Sequence, residues 1–344
     1  MLSSVISSYF SKYNKHFSSS LLNFCDSMFL CSSSNSWEVA RQSAISNDIS
    51  FKTAEMRRYR LLSNKNFTVD DSIFRCNINI LYDILKQNKL INKGDNLLLA
   101  LDFTSSTDKF LILSACMIID GNSYPIYFSI RGYPKEKGRY NHKKMEEAFM
   151  KGLKHLLSKD YKYTILADRG FGNQRFIELC EKNNFDYVIR MVPNMNGKYD
   201  GDTKLIRNLL ESPGKKRIAV KKWKKDLDFY LKKQDENEWF MVSNLPDIDE
   251  EGCAKLYEKR FKIEKIFQNL KSSGFDIEAS KITQYSKFKR LLFCCFLCYN
   301  VMILTGDYIN RKKQGLKKNS SICENLILAF SASHEKLSDI SQEK

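Results

Sequence analysis

Three apolar runs follow one another between residues 96 and 130, each bounded by turn residues, and they constrain the fold more than any other stretch. They are NLLLALDF (96–103), FLILSACMII (110–119) and YPIYFSI (124–130). Short continuous runs of this kind read as buried strands. DGNS at 120–123 is a hairpin-type turn, so three antiparallel strands in series are expected.

Beyond them, helix and strand patterns alternate. HKKMEEAFMKGLKHLLSK (142–159) places Met145, Phe149, Leu153, Leu156 and Leu157 on one helical side. YTILAD (163–168) reads as a fourth strand, QRFIELCEKN (174–183) as a helix and DYVIRMV (186–192) as a fifth strand. The order β-β-β-α-β-α-β is that of the ribonuclease H-like fold, an α/β mixed sheet with helices on both faces. In that fold the first and fourth strands are neighbours. Asp102, at the end of the first, and Asp168, at the end of the fourth, would then emerge side by side. A carboxylate in an apolar strand costs free energy unless solvated, paired or bound to a cation. Each aspartate can equally be a turn former, Asp102 before TSSTDK and Asp168 before RGFGN.

The stretch YEKRFKIEKIFQNLK (257–271) reads as one helix, with Gly274 as its stop. At about 100° per residue, Tyr257 and Lys271 lie within about 20° of Glu264 and Arg260 within about 40°. One carboxylate thus shares a stripe with two cations and an aromatic. The plain alternative is an i,i+4 salt bridge between Arg260 and Glu264.

Between the fifth strand and this helix, residues 194–249 form a small β insertion, with strand pieces at 217–220, 227–231 and 239–243. From Lys215 to Lys233 nine basic residues face two acidic ones, with Trp223, Phe229 and Tyr230 interleaved. Lys221, Lys222, Trp223, Lys224 and Lys225 are its densest part. Basic density with aromatics suits a nucleic-acid backbone; the alternative is a solvated charged hairpin. The whole chain points the same way, with 56 Lys and Arg against 40 Asp and Glu and a net charge of +16 over 344 residues.

Residues 1–93 read as a helical N-terminal region, with helical spacing in SWEVARQSAI, TAEMRRYRLL and SIFRCNINILYDILKQN and breaks at Ser18–Ser20 and Ser32–Ser34. It is a DNA-contacting module or a packing layer. The N-terminus lacks the basic segment and apolar run of a signal peptide. The apolar stretch 291–304 is short for a membrane span and reads as a buried helix. The ten cysteines are scattered among apolar neighbours, which suits reduced thiols in a cytoplasm, and Cys295-x-x-Cys298 reads as core rather than a zinc site. The remainder divides into 94–193 and 250–310 as two parts of one catalytic domain and 311–344 as a polar, loosely ordered tail.

These motifs resemble one family. Tyr257, Arg260, Glu264 and Lys271 reproduce the signature Tyr-x2-Arg-x3-Glu-x6-Lys of bacterial insertion-sequence DDE transposases, the IS-four family. LALDFT is similar to that family's first-aspartate strand and ILADRGFGN to its second-aspartate block. The likeness runs from about residue 96 to 306, and a β insertion before the glutamate is also a family feature. The resemblance implies cut-and-paste DNA transposition by metal-dependent cleavage and strand transfer. It implies Asp102, Asp168 and Glu264 as catalytic ligands of two Mg2+ (or Mn2+) ions, and Tyr257, Arg260 and Lys271 as DNA-contacting groups. The partners implied are double-stranded DNA, as terminal inverted repeats and target, and a second copy in a homodimer; no membrane is implied, and the place is the bacterial cytoplasm at the nucleoid. A metal-dependent nuclease that cuts without joining, and a non-catalytic DNA-binding transposon remnant, are the alternatives.

Overall fold

The computed structural model describes residues 19–31, 33–106, 109–132, 142–192, 194–234, 237–271 and 275–313. The expectations for a signal peptide, for a break at Ser18, for Gly274 as a helix stop and for the tail beyond 313 with Cys323 lie outside the described residues.

The three helical stretches of the N-terminal region are α2 (Ser36–Asn47), α3 (Phe51–Ser63) and α4 (Asp71–Gln87), preceded by α1 (Ser19–Cys31). The expected break near Ser32–Ser34 separates α1 from α2, whereas Ser19 and Ser20 are already helical. Side-chain caps set three of the starts: Asn35 accepts from Trp37 N, Ser50 from Thr53 N and Asp70 from Ser72 N and Ile73 N.

Strands β1 (Asn96–Ser106), β2 (Phe110–Ile119) and β3 (Asn122–Gly132) pair antiparallel, as the apolar runs predict. Asp120 and Gly121 form the β2–β3 turn at φ 49° and 77°, the left-handed pair of a tight hairpin. Every residue of β2 is buried, so both faces of the sheet are covered there. Helix α5 (His142–Leu156) leads to β4 (Lys162–Ala167), α6 (Gln174–Lys182) leads to β5 (Asp186–Arg190), and β4 and β5 run parallel to β1 and to each other.

Neighbouring residues of β3 mark the two faces. Tyr127 packs on Phe149 of α5, while Phe128 packs on Phe296 of α10 (Tyr285–Lys313). Among the described residues α10 alone is long and apolar enough to cross a membrane, and 83% of its apolar window is buried. The sheet covers one side, and the N-terminal helices cover another through named bonds. Arg290 donates to Phe67 O at 2.5 Å and Leu62 O at 2.6 Å, and Cys298 Sγ to Cys25 O at 3.3 Å. The apolar stretch is therefore a core helix, and Cys294, Cys295 and Cys298 are fully buried within it.

The insertion is not set apart from the sheet. Its strands are β6 (Asn196–Tyr199), β7 (Asp202–Leu205), β8 (Gly214–Val220), β9 (Lys225–Gln234) and β10 (Asn237–Ser243), with a short helix α7 (Ile206–Leu209). Strand β10 pairs antiparallel with β5, so one ten-stranded sheet runs in the order β3-β2-β1-β4-β5-β10-β9-β8-β6-β7. The β6–β7 hairpin adds to the three strand pieces expected in the insertion; its turn is Asp200-Gly201, at φ 48° and 86°.

Candidate active site

Two strands bring the aspartates together. The last parallel pair between β1 and β4 is Leu101 with Ala167, so Asp102 and Asp168 are the next residue on each strand. Adjacent strands lie about 4.8 Å apart, and matched positions face the same way. Asp102 is not the end of its strand, as the sequence suggests: β1 runs on to Ser106 because Phe103–Ser106 continue to pair with β2. Opposite Asp102 stands Ser114, 1% exposed, with a buried hydroxyl that has no hydrogen-bond partner. Asp168 leaves the sheet. It caps the 3-10 turn Arg169–Phe171 by accepting from Gly170 N at 2.9 Å, so its turn-forming role is present. A Cβ on Gly170 would lie 3.0 Å from Asp168 Oδ1, a tight contact with the carboxylate that caps the turn.

The signature stretch is not one continuous helix. Helix α8 (Glu250–Glu258) ends in a 3-10 turn, Lys259–Phe261, and α9 (Lys262–Lys271) continues from it. A 3-10 residue turns about 120° instead of 100°, so three of them rotate the next face by about 60°. That moves Tyr257 from about 20° on one side of Glu264 to about 40° on the other, and it is burial that takes its ring out of reach. It is 1% exposed, edge-on to Trp239 at 5.4 Å and to Phe261 at 5.9 Å, and its ring is covered rather than open to stacking. Burial pushes the Tyr257 hydroxyl above its ordinary pKa, against the opposing pull of the Arg260 charge.

Arg260 sits in the 3-10 turn with its side chain 6% exposed. Its Nη1 donates to Asp102 Oδ2 at 3.2 Å and its Nη2 to Glu264 Oε1 at 2.5 Å. The guanidinium also lies over the rings of Phe261 at 4.8 Å and Tyr257 at 5.5 Å. The plain salt bridge to Glu264 is present, but a second partner from β1 makes it a bridge between two of the acids. That partner is 158 residues away, so local spacing carries no trace of it. Phe261 and the wall residue Trp239 join the site in the same way, through tertiary contact. The adjacency of Arg260 and Phe261 in the sequence is the local sign of their contact.

Burial pushes the Asp102 carboxyl up to about 6; the Arg260 charge opposes this, while Asp168 and Glu264 add to it. Asp102 thus feels both other acids. Among the described residues no three His, Cys, Asp or Glu side chains converge closely enough to hold a metal ion as they stand. The charge between Asp102 and Glu264 is that of Arg260. Lys271 ends α9 and lines a small cleft with Thr104 and Ser106 of β1.

Because the folded Asp102 binds its proton more tightly than an unfolded aspartate of ordinary pKa 3.8, its stabilising contribution is full below about pH 4 and is lost as pH rises through about 6. In metal-free buffer the wild type should therefore lose stability relative to Asp102→Asn between about pH 4 and 6. Parallel melting profiles of the two proteins across that window would contradict the shift.

The insertion residues separate into groups. Lys221, Lys222 and Lys224 are exposed on the 3-10 turn between β8 and β9. Lys225 is ion-paired with Glu181 of α6, and Trp223 is half-buried against the core, with Gln174 Nε2 donating to its carbonyl at 3.4 Å. Phe229 and Tyr230 are fully buried, so the sequence reading of them as aromatics interleaved for nucleic acid is corrected: they are core residues of β9.

Residues 106–301 match the transposase DDE domain family, a span that begins just past Asp102 and contains Asp168 and the whole signature. The chain belongs to the transposase DDE domain family. It is a DDE transposase, an enzyme that cuts DNA and transfers strands, in a family that generally uses divalent metal ions and has a ribonuclease H-like fold. No curated protein matches the chain. Two solved structures of endonuclease V from Ciona intestinalis are similar to it. One, in complex with a 24mer DNA containing an inosine followed by a ribo-adenosine, has 13% identity over 55% of this chain and 90% of that one, with a TM-score of 0.30. The other, a single-substitution variant with a 23mer, has 14% identity over 56% and 90%, with a TM-score of 0.29.

Proposed function

We propose that this chain is an insertion-sequence transposase of the IS-four family, in the Tyr-Arg-Glu-Lys signature group, which cuts the ends of its element and joins them to target DNA. The observation that carries this reading is the place of Asp102 and Asp168, each the next residue after the last β1–β4 pair, with Glu264 tied to Asp102 through Arg260. Asp102, Asp168 and Glu264 would hold two Mg2+ (or Mn2+) ions. The donor set is oxygen only, which suits these hard ions, and the Asp102 carboxyl, raised first by burial and further by the nearby Asp168 and Glu264 charges, is one whose charged form a divalent cation would favour. When bound, such ions activate an attacking water or 3′-hydroxyl and stabilise the leaving oxygen.

The chain's own groups do the positioning. Lys271 offers a point charge to the phosphate, and Arg260 a planar fork. Tyr257 forms the floor beneath Arg260 and so acts at the DNA end through it. In the proposed layout residues 1–93 precede a catalytic domain formed by 94–193 and 250–310, with 194–249 inserted and 311–344 as a tail. The DNA complex is a homodimer, and the setting is the bacterial cytoplasm.

Removing the metal tests the reading. Chelation should abolish nicking of DNA carrying the element's ends, and Mg2+ or Mn2+ should restore it; nicking that persists in chelator would contradict it. The exposed lysines are a second test. Replacing Lys221, Lys222 and Lys224 with Gln should lower the slope of log affinity against log salt by about 0.9 for each phosphate no longer neutralised. Adding Lys225→Gln should change it less, since Lys225 is already paired with Glu181. An unchanged slope in the triple variant would make this run a solvated face.

A further inference from the structure

We infer that Arg260 is the resident counter-ion of the acid cluster, and that a divalent cation binds there by displacing its guanidinium from Asp102 and Glu264. This rests on the proposed metal-binding role of those acids and deepens it. Three observations carry it. The side chain is 6% exposed, and its two terminal nitrogens reach carboxylates from different elements, one on β1 and one on α9. Among the described residues neither Asp102 nor Glu264 makes any other ion pair. The Arg260 Nε is buried without a partner, so the group is held by its two carboxylates, the Tyr257 side chain and the Phe261 ring rather than by a full hydrogen-bond set.

The grouping of the three acids favours a cation at this place. Asp102 lies in a largely buried position, with Asp168 and Glu264 near enough to act on it, and unneutralised carboxylates so grouped repel one another. A guanidinium and a divalent ion between the same oxygens compete for the same lone pairs. A buried pair robbed of one partner leaves a costly uncompensated charge, which either cation relieves. The guanidinium lies over Phe261 and Tyr257 while it holds the carboxylates, so a small shift across those rings frees the acids and keeps the ring contacts. From there it remains beside the acids, where the fork can meet a phosphate. Arg260 is thus a positioning residue that assembles the acids before metal arrives, and its occupancy sets how much metal is needed.

A residue that only clamps phosphate would not alter metal binding in the absence of DNA; a competing counter-ion must. The experiment is Mn2+ titration of the DNA-free protein, by calorimetry and by the paramagnetic signal of free Mn2+, beside thermal melting with and without the ion. Arg260→Gln should melt lower than wild type in metal-free buffer, bind Mn2+ at least about tenfold more tightly, and regain stability on adding it. Equal or weaker Mn2+ binding by Arg260→Gln, with wild-type binding intact and abolished in Asp102→Asn, would overturn the inference and leave the metal reading standing. Binding absent from both proteins, or unaffected by Asp102→Asn, would overturn the metal reading and the inference with it. If Arg260→Gln does not fold without metal, Arg260→Lys carries the same test. Its single ammonium cannot span both carboxylates, so Mn2+ affinity should again rise above wild type, and a lower or equal affinity would overturn the inference.

Discussion

Glu264→Gln, Asp102→Asn and Asp168→Asn should each lower metal-dependent DNA cleavage by at least about a thousandfold, roughly 4 kcal/mol of transition-state stabilisation, with DNA affinity close to wild type. The amides keep the shape of the acids and lose the charge that holds a divalent ion. The three differ in what else they disturb. Asn at 168 still offers an oxygen to Gly170 N, so the turn after β4 survives. Gln at 264 loses one half of the Arg260 bridge but lies on a largely exposed side chain, 52% exposed. Asn at 102 removes a buried carboxyl held up at about 6, and this variant should be no less stable than wild type in metal-free buffer at neutral pH. Single-turnover cleavage beside a DNA-binding titration separates these effects, and wild-type cleavage by Glu264→Gln would remove Glu264 from the site.

The second large effect is on stability. Phe128→Ala should cost about 3–5 kcal/mol. Phe128 is 1% exposed on β3, edge-on to Phe74 of α4 at 5.0 Å and to Phe296 of α10 at 5.0 Å. It therefore joins the sheet to the helix that the N-terminal helices also grip, and Phe74 in turn meets Phe293 of α10 at 5.6 Å. Truncation leaves a cavity among aromatic neighbours drawn from separate elements, and such a site collapses poorly. Urea unfolding measures it. A loss below about 1 kcal/mol would mean that the layers are held elsewhere, for instance by Arg290 and its two carbonyl partners.

Much of this architecture is legible in the sequence because burial leaves a local record. Strand β2 is an apolar run interrupted by Ser114, whose ends fall at Phe110 and Ile119 as expected, and the Asp120-Gly121 turn fixes its hairpin. Strand β1 extends past its apolar run because TSS, though polar, pairs with Leu111, Phe110 and their neighbour Ile112. The β6–β7 hairpin does carry a turn signal, Asp200-Gly201, but its strands are short and mostly exposed, so no apolar pattern flanks it. On β9 the lysines mask a buried core: Phe229, Tyr230 and Leu231 are all fully covered.

The site is legible in its residue types and less so in its geometry. Strand order alone pairs Asp102 with Asp168, and the register bears that adjacency out. The angles read from the sequence between Tyr257, Arg260 and Glu264 hold only for an unbroken α-helix, although Arg260 still meets Glu264. The 3-10 turn at Lys259–Phe261 arises where the chain packs on β1 and β4, a tertiary contact that periodicity cannot show. The same turn delivers Arg260 to Asp102, so the break in the helix and the new partner have one cause.

The most direct measurement is a joining assay with the element's own ends. Purified protein, Mg2+, DNA carrying the sequences that flank the reading frame and a supercoiled target are incubated, and the products are sequenced. Element ends cut at defined positions, with their 3′-hydroxyls joined to target strands, are expected, and no such products with Asp102→Asn. Nicked DNA with no joined product would contradict the transposase reading and leave a nuclease of the same fold.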